Sequence, residues 1–328
     1  MGPLKLAIST SHVGKRKFYN LRAVARVAAG LVEAARPGMW LKTLALMLVA
    51  STYTLGDLPD LRRFLAGFLI VGPLLWGGLY MLNAVADVEE DAAHPVKRLR
   101  PFPSGRVSTR LGAWVGWSMT GVAIILSLLH STLFLSAVVL MWLRQLAYSL
   151  PPLRMKRRLL WDVLTGSIGN STLRFAAGWF LFSKDWHLPL LLLLFAEGLQ
   201  LAGFLVGRLF TNYSVRLEAS MNYPSTTSRM SPATIQRVTV GSSAVGIACF
   251  IFLALNSSFG ISVNVLGLLP VESLIVLLLL LVTLPFFGRA VAAAGRFSRL
   301  ESHRYQDLWL GYLLFLSVLL SMVIKVYS

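Results

Sequence analysis

Runs of roughly 20 apolar residues recur along this chain, and no other feature limits its fold so strongly. A bilayer core about 30 Å thick is crossed by about 20 residues of α-helix. Backbone polar groups in lipid must be satisfied internally, and a helix does so within one segment. Composition agrees: 56% of the 328 residues are hydrophobic and 14% are charged, against roughly 25% charged in a soluble domain. The runs predict spans near 38–56, 64–83, 111–130, 132–150, 160–182, 187–208, 235–256, 263–286 and 307–327. The expected fold is therefore all-α, a polytopic membrane bundle of nine transmembrane helices. The segment 21–35 precedes them with Arg22, Arg26 and Glu33 flanking an apolar face, a pattern that suits a helix lying in the membrane interface. Two units follow: a basic N-terminus, 1–36, and a transmembrane domain, 37–328.

The formal charge of +17 fits nucleic acid, anionic lipid or a phosphorylated substrate. Its distribution selects among these. Basic residues collect in alternate loops: the N-terminus with Lys5, Lys15, Arg16, Lys17 and Arg36; the loop after the second span with Lys97, Arg98, Arg100, Arg106 and Arg110; the loop after the fourth with Arg154, Lys156, Arg157 and Arg158; and later loops with Arg216, Arg229, Arg289, Arg296, Arg299 and Arg304. The opposite loops are short and carry little beyond Arg62, Arg63 and Lys184. The positive-inside rule puts the N-terminus and the long polar loops in the cytoplasm, and an odd number of spans puts the C-terminus outside. No nucleic-acid partner is expected. Met1 to Asn20 is polar and basic and lacks the apolar core of a secretory signal, so the first span is expected to act as its own insertion signal. Cys249 stands alone inside an apolar run and reads as a small core residue.

Two stretches carry the candidate chemistry. In the first, Asn83, Asp87 and Asp91 recur every four residues, which places three oxygen ligands on one helical face. Such a row suits Mg2+, which takes a few carboxylates and completes its shell with phosphate oxygens and water. Lys97, Arg98 and Arg100 follow at once and can hold phosphate by charge-assisted hydrogen bonds. Pro95 and Pro101 stiffen the loop that presents them, and His94 reads as a loop hydrogen-bonder. In the second stretch Tyr148 leads into the basic run Arg154 to Arg158, and Asp162 and Arg174 follow within the fifth span. An arginine at membrane depth faces an internal partner or a cavity. Glu197 in the sixth span is the candidate partner, and a structural ion pair and a substrate contact both stand as readings.

The first stretch resembles the initial aspartate motif, N-D-x-x-D-x-x-x-D, of the UbiA superfamily of intramembrane prenyltransferases. Its continuation, D-V-E-x-D-x-x-H-P-x-K-R-x-R-P-x-x-S-G, is similar to the branch that transfers phosphoribose from phosphoribosyl pyrophosphate to decaprenyl phosphate. That branch has an early R-P-x-x-W-x-K, met by Arg36, Pro37, Trp40 and Lys42. Its later Y-S…K…D…L-R-x-x-A-G is met by Tyr148, Ser149, Lys156, Asp162, Leu173, Arg174, Ala177 and Gly178. The matches run from about 36 to 180; the C-terminal third agrees mainly in its span pattern. Two positions depart: Ala84 stands where the motif has its first aspartate, and the second motif, after the sixth span, reads Gly207, Arg208 and on to Asn212 without a carboxylate, Glu218 being the nearest acid.

The resemblance implies a nine-helix UbiA-like bundle with a cytoplasm-facing site. It implies a Mg2+-dependent transferase moving phosphoribose from phosphoribosyl pyrophosphate to a polyprenyl phosphate with release of pyrophosphate. Asp87, Asp91 and Asn83 are then the metal ligands, and Asp87, Asp91, Lys97 and Arg98 the catalytic set. Lys42, Asn83, Arg100, Tyr148, Lys156, Asp162, Arg174 and Arg208 are the substrate-binding set. The expected partners are a diphosphate donor, a lipid-linked substrate and membrane lipids, and a homo-oligomer is compatible with such a bundle. Two alternatives stand beside this reading: a prenyltransferase using prenyl diphosphate and an aromatic or alcohol acceptor, and a non-catalytic degenerate homologue.

Overall fold

The computed structural model describes residues 11–55, 58–93, 97–166 and 169–190, isolated positions between 193 and 241, and the pairs 264–265 and 269–270. Most of these residues are helical. Helix α1, Ser11–Ala35, is followed after Arg36 by α2, Pro37–Leu55. Helix α3, Leu61–Leu69, runs without interruption through a π-helical stretch, Ile70–Trp76, into α4, Gly77–Ala86. A short α5, Val88–Ala92, leads to a 3-10 turn at Lys97–Leu99. Then come α6, Thr109–Ser127, and α7, Thr132–Ser149. A second 3-10 turn, Met155–Arg157, precedes α8, Leu159–Gly166, and α9, Asn170–Phe182. Asn264–Val265 and Leu269–Pro270 pair as a minimal antiparallel ladder.

Local chemistry explains these boundaries. Asp60, Ser108 and Ser131 cap α3, α6 and α7, each accepting a hydrogen bond from a backbone N–H three residues on. Pro73 lies inside the π-helical stretch. Proline removes a hydrogen-bond donor and crowds the preceding turn, and the wider π turn accommodates both effects. The uninterrupted helix Leu61–Ala86 and α7 are long and apolar enough to cross a membrane by length and composition. Helices α2, α3–α4, α6 and α7 coincide with the first four expected spans.

The fifth expected span, 160–182, is not one helix. It is divided between α8 and α9, and Gly169 adopts φ +75° at the start of α9. Left-handed backbone is routine only for glycine, so the chain redirects there, within an otherwise apolar run. The later expected spans fall almost wholly outside the described residues.

The core lies among α2, the α3–α4 helix, α7 and α9, where Met47, Trp76, Leu79, Phe134, Met141 and Leu181 are buried together. Lipid tails are as apolar as these side chains, so helices associate in a membrane through close packing and interhelical hydrogen bonds. Two glycine contacts provide that closeness. A Cβ on Gly78 of α4 would stand 2.7 Å from the Gly116 carbonyl of α6, and one on Gly178 of α9 would overlap the Met47 backbone of α2. Ser51 Oγ donates to the Gly178 carbonyl at 3.0 Å across the second contact. Leu65, Leu69, Trp114, Ile125 and Leu140 are exposed on the outer surface. The end of α1 also packs on the bundle, its Ala34 and Ala35 lying against Met81, Ala84, Phe102 and Val107.

Candidate functional site

Helix α4 ends where its last turn meets the loop after α7. Asp87 leaves helical geometry (φ −101°, ψ 6°) while its N–H still bonds the Asn83 carbonyl at 3.1 Å. Asn83 Nδ2 donates to Asp87 Oδ2 at 3.2 Å, and Asn83 Oδ1 accepts from Ser149 Oγ at 2.8 Å. Lys156 Nζ donates to Asn83 Oδ1 at 3.0 Å and pairs tightly with Asp87 Oδ1. Arg154 joins the same carboxylate oxygen at 3.2 Å, bonds the Ala86 carbonyl at 2.9 Å and reaches Glu90 at 3.1 Å. Arg154 adopts φ 34°, a region uncommon for non-glycine residues and concentrated at functional sites. Residues about 70 apart in sequence are thereby drawn into one ion-pair knot.

One turn on, Asp91 is buried and accepts from Arg100 Nη1 at 2.8 Å, with Lys97 Nζ at 3.9 Å. Arg98, on the same turn, is exposed. Arg106 braces this loop by bonding the Leu99 carbonyl at 2.8 Å and pairing with Glu33 of α1. Burial pushes the Lys156 ammonium below the usual lysine range, while the Asp87 charge and hydrogen bond pull it back up. Burial and the neighbouring Arg100 lower Arg36 in the same way, against Tyr80, Asp91 and Asp87. Arg36 also has positive φ, 53°, and its guanidinium lies 5.6 Å from the Tyr80 ring centroid.

A second group of predicted residues lies deeper. Arg174 is buried, with Nε donating to Thr43 Oγ1 at 2.9 Å, Nη1 to the Asn170 carbonyl at 3.1 Å and to its side-chain oxygen, and Nη2 to Tyr80 OH at 3.4 Å. Its guanidinium stacks 3.7 Å from the Trp76 ring centroid. Lys42 stands within electrostatic reach of Arg174. Glu197 is within reach of Arg174 too, but its Oε1 accepts from the Thr172 N–H at 2.6 Å and no ion pair joins it to Arg174 among the described residues. Asp162 is fully buried and accepts from Tyr148 OH at 2.9 Å. Arg208 and His94 lie outside the described residues.

The predicted residues thus form two groups: Asn83, Asp87, Asp91, Lys97, Arg100 and Lys156 at the rim, and Lys42 and Arg174 inside. Sequence reading singled out neither Arg154 as a site residue nor Tyr80. Arg154 is one of several cations in the candidate basic run Arg154 to Arg158, with no mark in the sequence that sets it apart, and Tyr80 lies in an apolar run; the α4 register that puts Tyr80 one turn before Asn83 was the available signal.

The donor set fits Mg2+. It consists of hard oxygen atoms, two carboxylates and one amide, carried by the last turn of α4, by Asp87 where helical geometry breaks, and by α5, so the single helical face expected from the spacing is interrupted at Asp87. No group of three His, Cys, Asp or Glu residues suited to a metal occurs among the described residues. Mg2+ tolerates this, since it is held by one or two carboxylates with substrate phosphates and water. The surrounding cations can take the remaining phosphate charge.

Comparison with known proteins places the chain. The UbiA prenyltransferase family matches residues 43–319. Over 131 residues the chain is 34% identical to the decaprenyl-phosphate phosphoribosyltransferase of Mycolicibacterium smegmatis, covering 37% of this chain and 40% of that protein. Over 121 residues it is 38% identical to the bacteriochlorophyll synthase 34 kDa chain of Chloroflexus aurantiacus, covering 36% of this chain and 35% of that protein. The matched stretches therefore span about two-fifths of these relatives' length. The solved structure of a UbiA homolog from Archaeoglobus fulgidus bound to DMAPP and Mg2+ superposes with a TM-score of 0.64 at 15% identity, covering 91% of this chain and 99% of that one. The helical fold is shared with that structure.

Proposed function

Because this chain belongs to the UbiA prenyltransferase family, we propose that it is a membrane transferase moving phosphoribose from phosphoribosyl pyrophosphate to a polyprenyl phosphate. The supporting observation is the rim knot, in which Lys156 and Arg154 reach across to Asp87 while Arg100 and Lys97 flank Asp91. The resemblance to a phosphoribosyltransferase, in the relative cited above, favours the ribosyl donor. We read residues 37–328 as a nine-span domain, and 1–36 as a basic segment with an interfacial helix. The N-terminus and the rim face the cytoplasm, following the loop charges.

In this reading the acceptor's phosphate oxygen forms a bond to the anomeric carbon as the bond to pyrophosphate breaks. The nucleophile is already anionic, so no general base is needed. Asp87, Asp91 and the Asn83 oxygen would hold Mg2+. When bound, the metal neutralises pyrophosphate charge and improves it as a leaving group. Lys97, Arg98 and Arg100 bind the pyrophosphate oxygens and stabilise the charge that develops on them. Lys156 and Arg154 exchange Asp87 for phosphate, so that each charge trades one partner for another. The basic run from Arg154 to Arg158 receives the 5-phosphate. Arg208 belongs to the same binding set by its motif position.

A second reading is a prenyltransferase with a prenyl diphosphate donor. The likeness to a bacteriochlorophyll synthase chain and to a homolog bound to DMAPP supports it. The paired carboxylates of the rim oppose a non-catalytic role. Purified protein in lipid, supplied with Mg2+, decaprenyl phosphate and ribose-labelled phosphoribosyl pyrophosphate, decides between them. Lipid-linked ribose label is the expected result. Transfer of label from a prenyl diphosphate to an aromatic or alcohol, with phosphoribosyl pyrophosphate ignored, would replace this reading with the second.

A further inference from the structure

Below the rim lies a group of cations that the metal-dependent chemistry does not use. Arg144 of α7 donates Nη2 to the Thr165 carbonyl, while its Nε and Nη1 are buried without a hydrogen-bond partner among the described residues. It lies within electrostatic reach of Arg174, Glu197, Tyr148 and Tyr80, and Lys42 lies within reach of both Arg174 and Arg144. Three cations from α2, α7 and α9 therefore converge with one described carboxylate, Glu197, whose Oε2 is itself buried and without a partner among the described residues. Buried charges are ordinarily paired, and an uncompensated cation at membrane depth marks a binding site or an ion pathway.

The depth follows from helix geometry. Tyr80, whose hydroxyl meets Arg174, precedes Asp87 by seven residues on α4, which is about 10 Å of helical rise. Trp76, stacked on Arg174, lies a further turn down. The cluster is thus separated from the carboxylates of the rim and, among the described residues, has no row of acids with which to hold a metal–diphosphate. Among the described residues, three basic side chains less one carboxylate leave two positive charges when all are ionised. A phosphate monoester carries a charge of about −1.5 to −2 at neutral pH.

We infer that Lys42, Arg144 and Arg174 form a second anion site, below the rim, that binds the phosphate monoester of the lipid acceptor. The inference rests on the transferase reading for the word acceptor and on the cluster alone for the anion. A soluble phosphate meets the cations of the rim first, whereas a lipid lying along the helices brings its headgroup in at this level. The two sites then present donor and acceptor phosphates from opposite directions along one polar axis, and Arg144 orients the attacking oxygen as a substrate-binding residue.

The test measures binding of farnesyl monophosphate to the full chain in nanodiscs, with farnesol, inorganic phosphate and Mg2+–phosphoribosyl pyrophosphate as comparators. Arg144→Met should weaken farnesyl monophosphate by about tenfold or more and change the donor by less than about twofold, with Arg144→Lys recovering part of the loss. Lys42→Met repeats the measurement in case Arg144→Met does not fold. Equal affinity for farnesol and farnesyl monophosphate would overturn the site. So would unchanged monophosphate binding in both variants, which would leave Arg144 as a structural partner of Glu197. A larger loss for the ribosyl donor or for inorganic phosphate than for the lipid would assign the cluster to a soluble phosphate and overturn the lipid assignment. If the monophosphate binds through Arg144 yet no ribose is transferred, the anion site stands and the donor reading falls.

Discussion

The rim and the interior of the polar axis are charged by opposite rules. At the rim Asp87 meets Lys156 and Arg154, Asp91 meets Arg100 and Lys97, and Glu90 meets Arg154 and Arg157. In the interior, among the described residues, three cations gather around a single carboxylate, Glu197. Balanced clusters persist by exchanging partners, and unbalanced ones by acquiring an anion. The difference is the reason for proposing that the rim takes a substrate that carries its own metal and the interior one that carries only negative charge.

Removing a rim carboxylate should break the comparison most severely. Asp87→Asn or Asp91→Asn is expected to lower turnover by about a hundredfold or more, as loss of an electrostatic element at a reacting charge does, while insertion and folding persist. Wild-type turnover in both variants would move the metal elsewhere. Chelation of divalent ions should abolish turnover in the native protein, with Mg2+ restoring it, and Asp91→Asn should need more Mg2+ for half-maximal rate. A chelator-resistant rate would detach the rim from metal chemistry.

Lys156 sharpens the contrast at intermediate size. Lys156→Ala should weaken donor binding by about tenfold, the scale of one charge-assisted hydrogen bond, with a smaller effect on the lipid acceptor. Its pKa is lowered by burial, so its charge begins to be lost at lower pH than that of a free lysine. Donor affinity should accordingly weaken on the alkaline side, and Lys156→Arg, which stays charged there, should flatten that decline. An identical pH profile for the two proteins would remove Lys156 from donor binding. The smallest effect is expected at the outer edge, where Glu33 and Arg106 pair in the open. Glu33→Gln should change stability by no more than about 1 kcal/mol and leave turnover within about twofold; a large loss would mean that this pair, not the bonds of Arg106 to the loop backbone, holds Arg100 in place.

Periodicity and composition revealed the helices of the first half and the Asn83, Asp87, Asp91 row, because both are properties of one segment. The break at Gly169 was hidden, since an apolar run looks the same whether one helix or two cross it. The π turn around Pro73 was hidden for the same reason. The pairing of Asp87 with Lys156 was equally out of reach: spacing says which residues share a face, not which faces meet. Arg144 stood in an apolar run with no marker that two of its nitrogen atoms would end up buried and unpaired.

The tethered carboxylate at Asp87 has a consequence for selectivity among solutes. Lys156 and Arg154 are held beside it by the fold, so the carboxylate competes for them at an effective concentration far above that of small anions in solution. Chloride or free phosphate gains a cation only by taking one of the two that Asp87 holds. In the proposed reading a diphosphate arriving with a divalent metal satisfies both sides of the pair at once, and the knot would then filter anions by whether they bring a counter-charge with them.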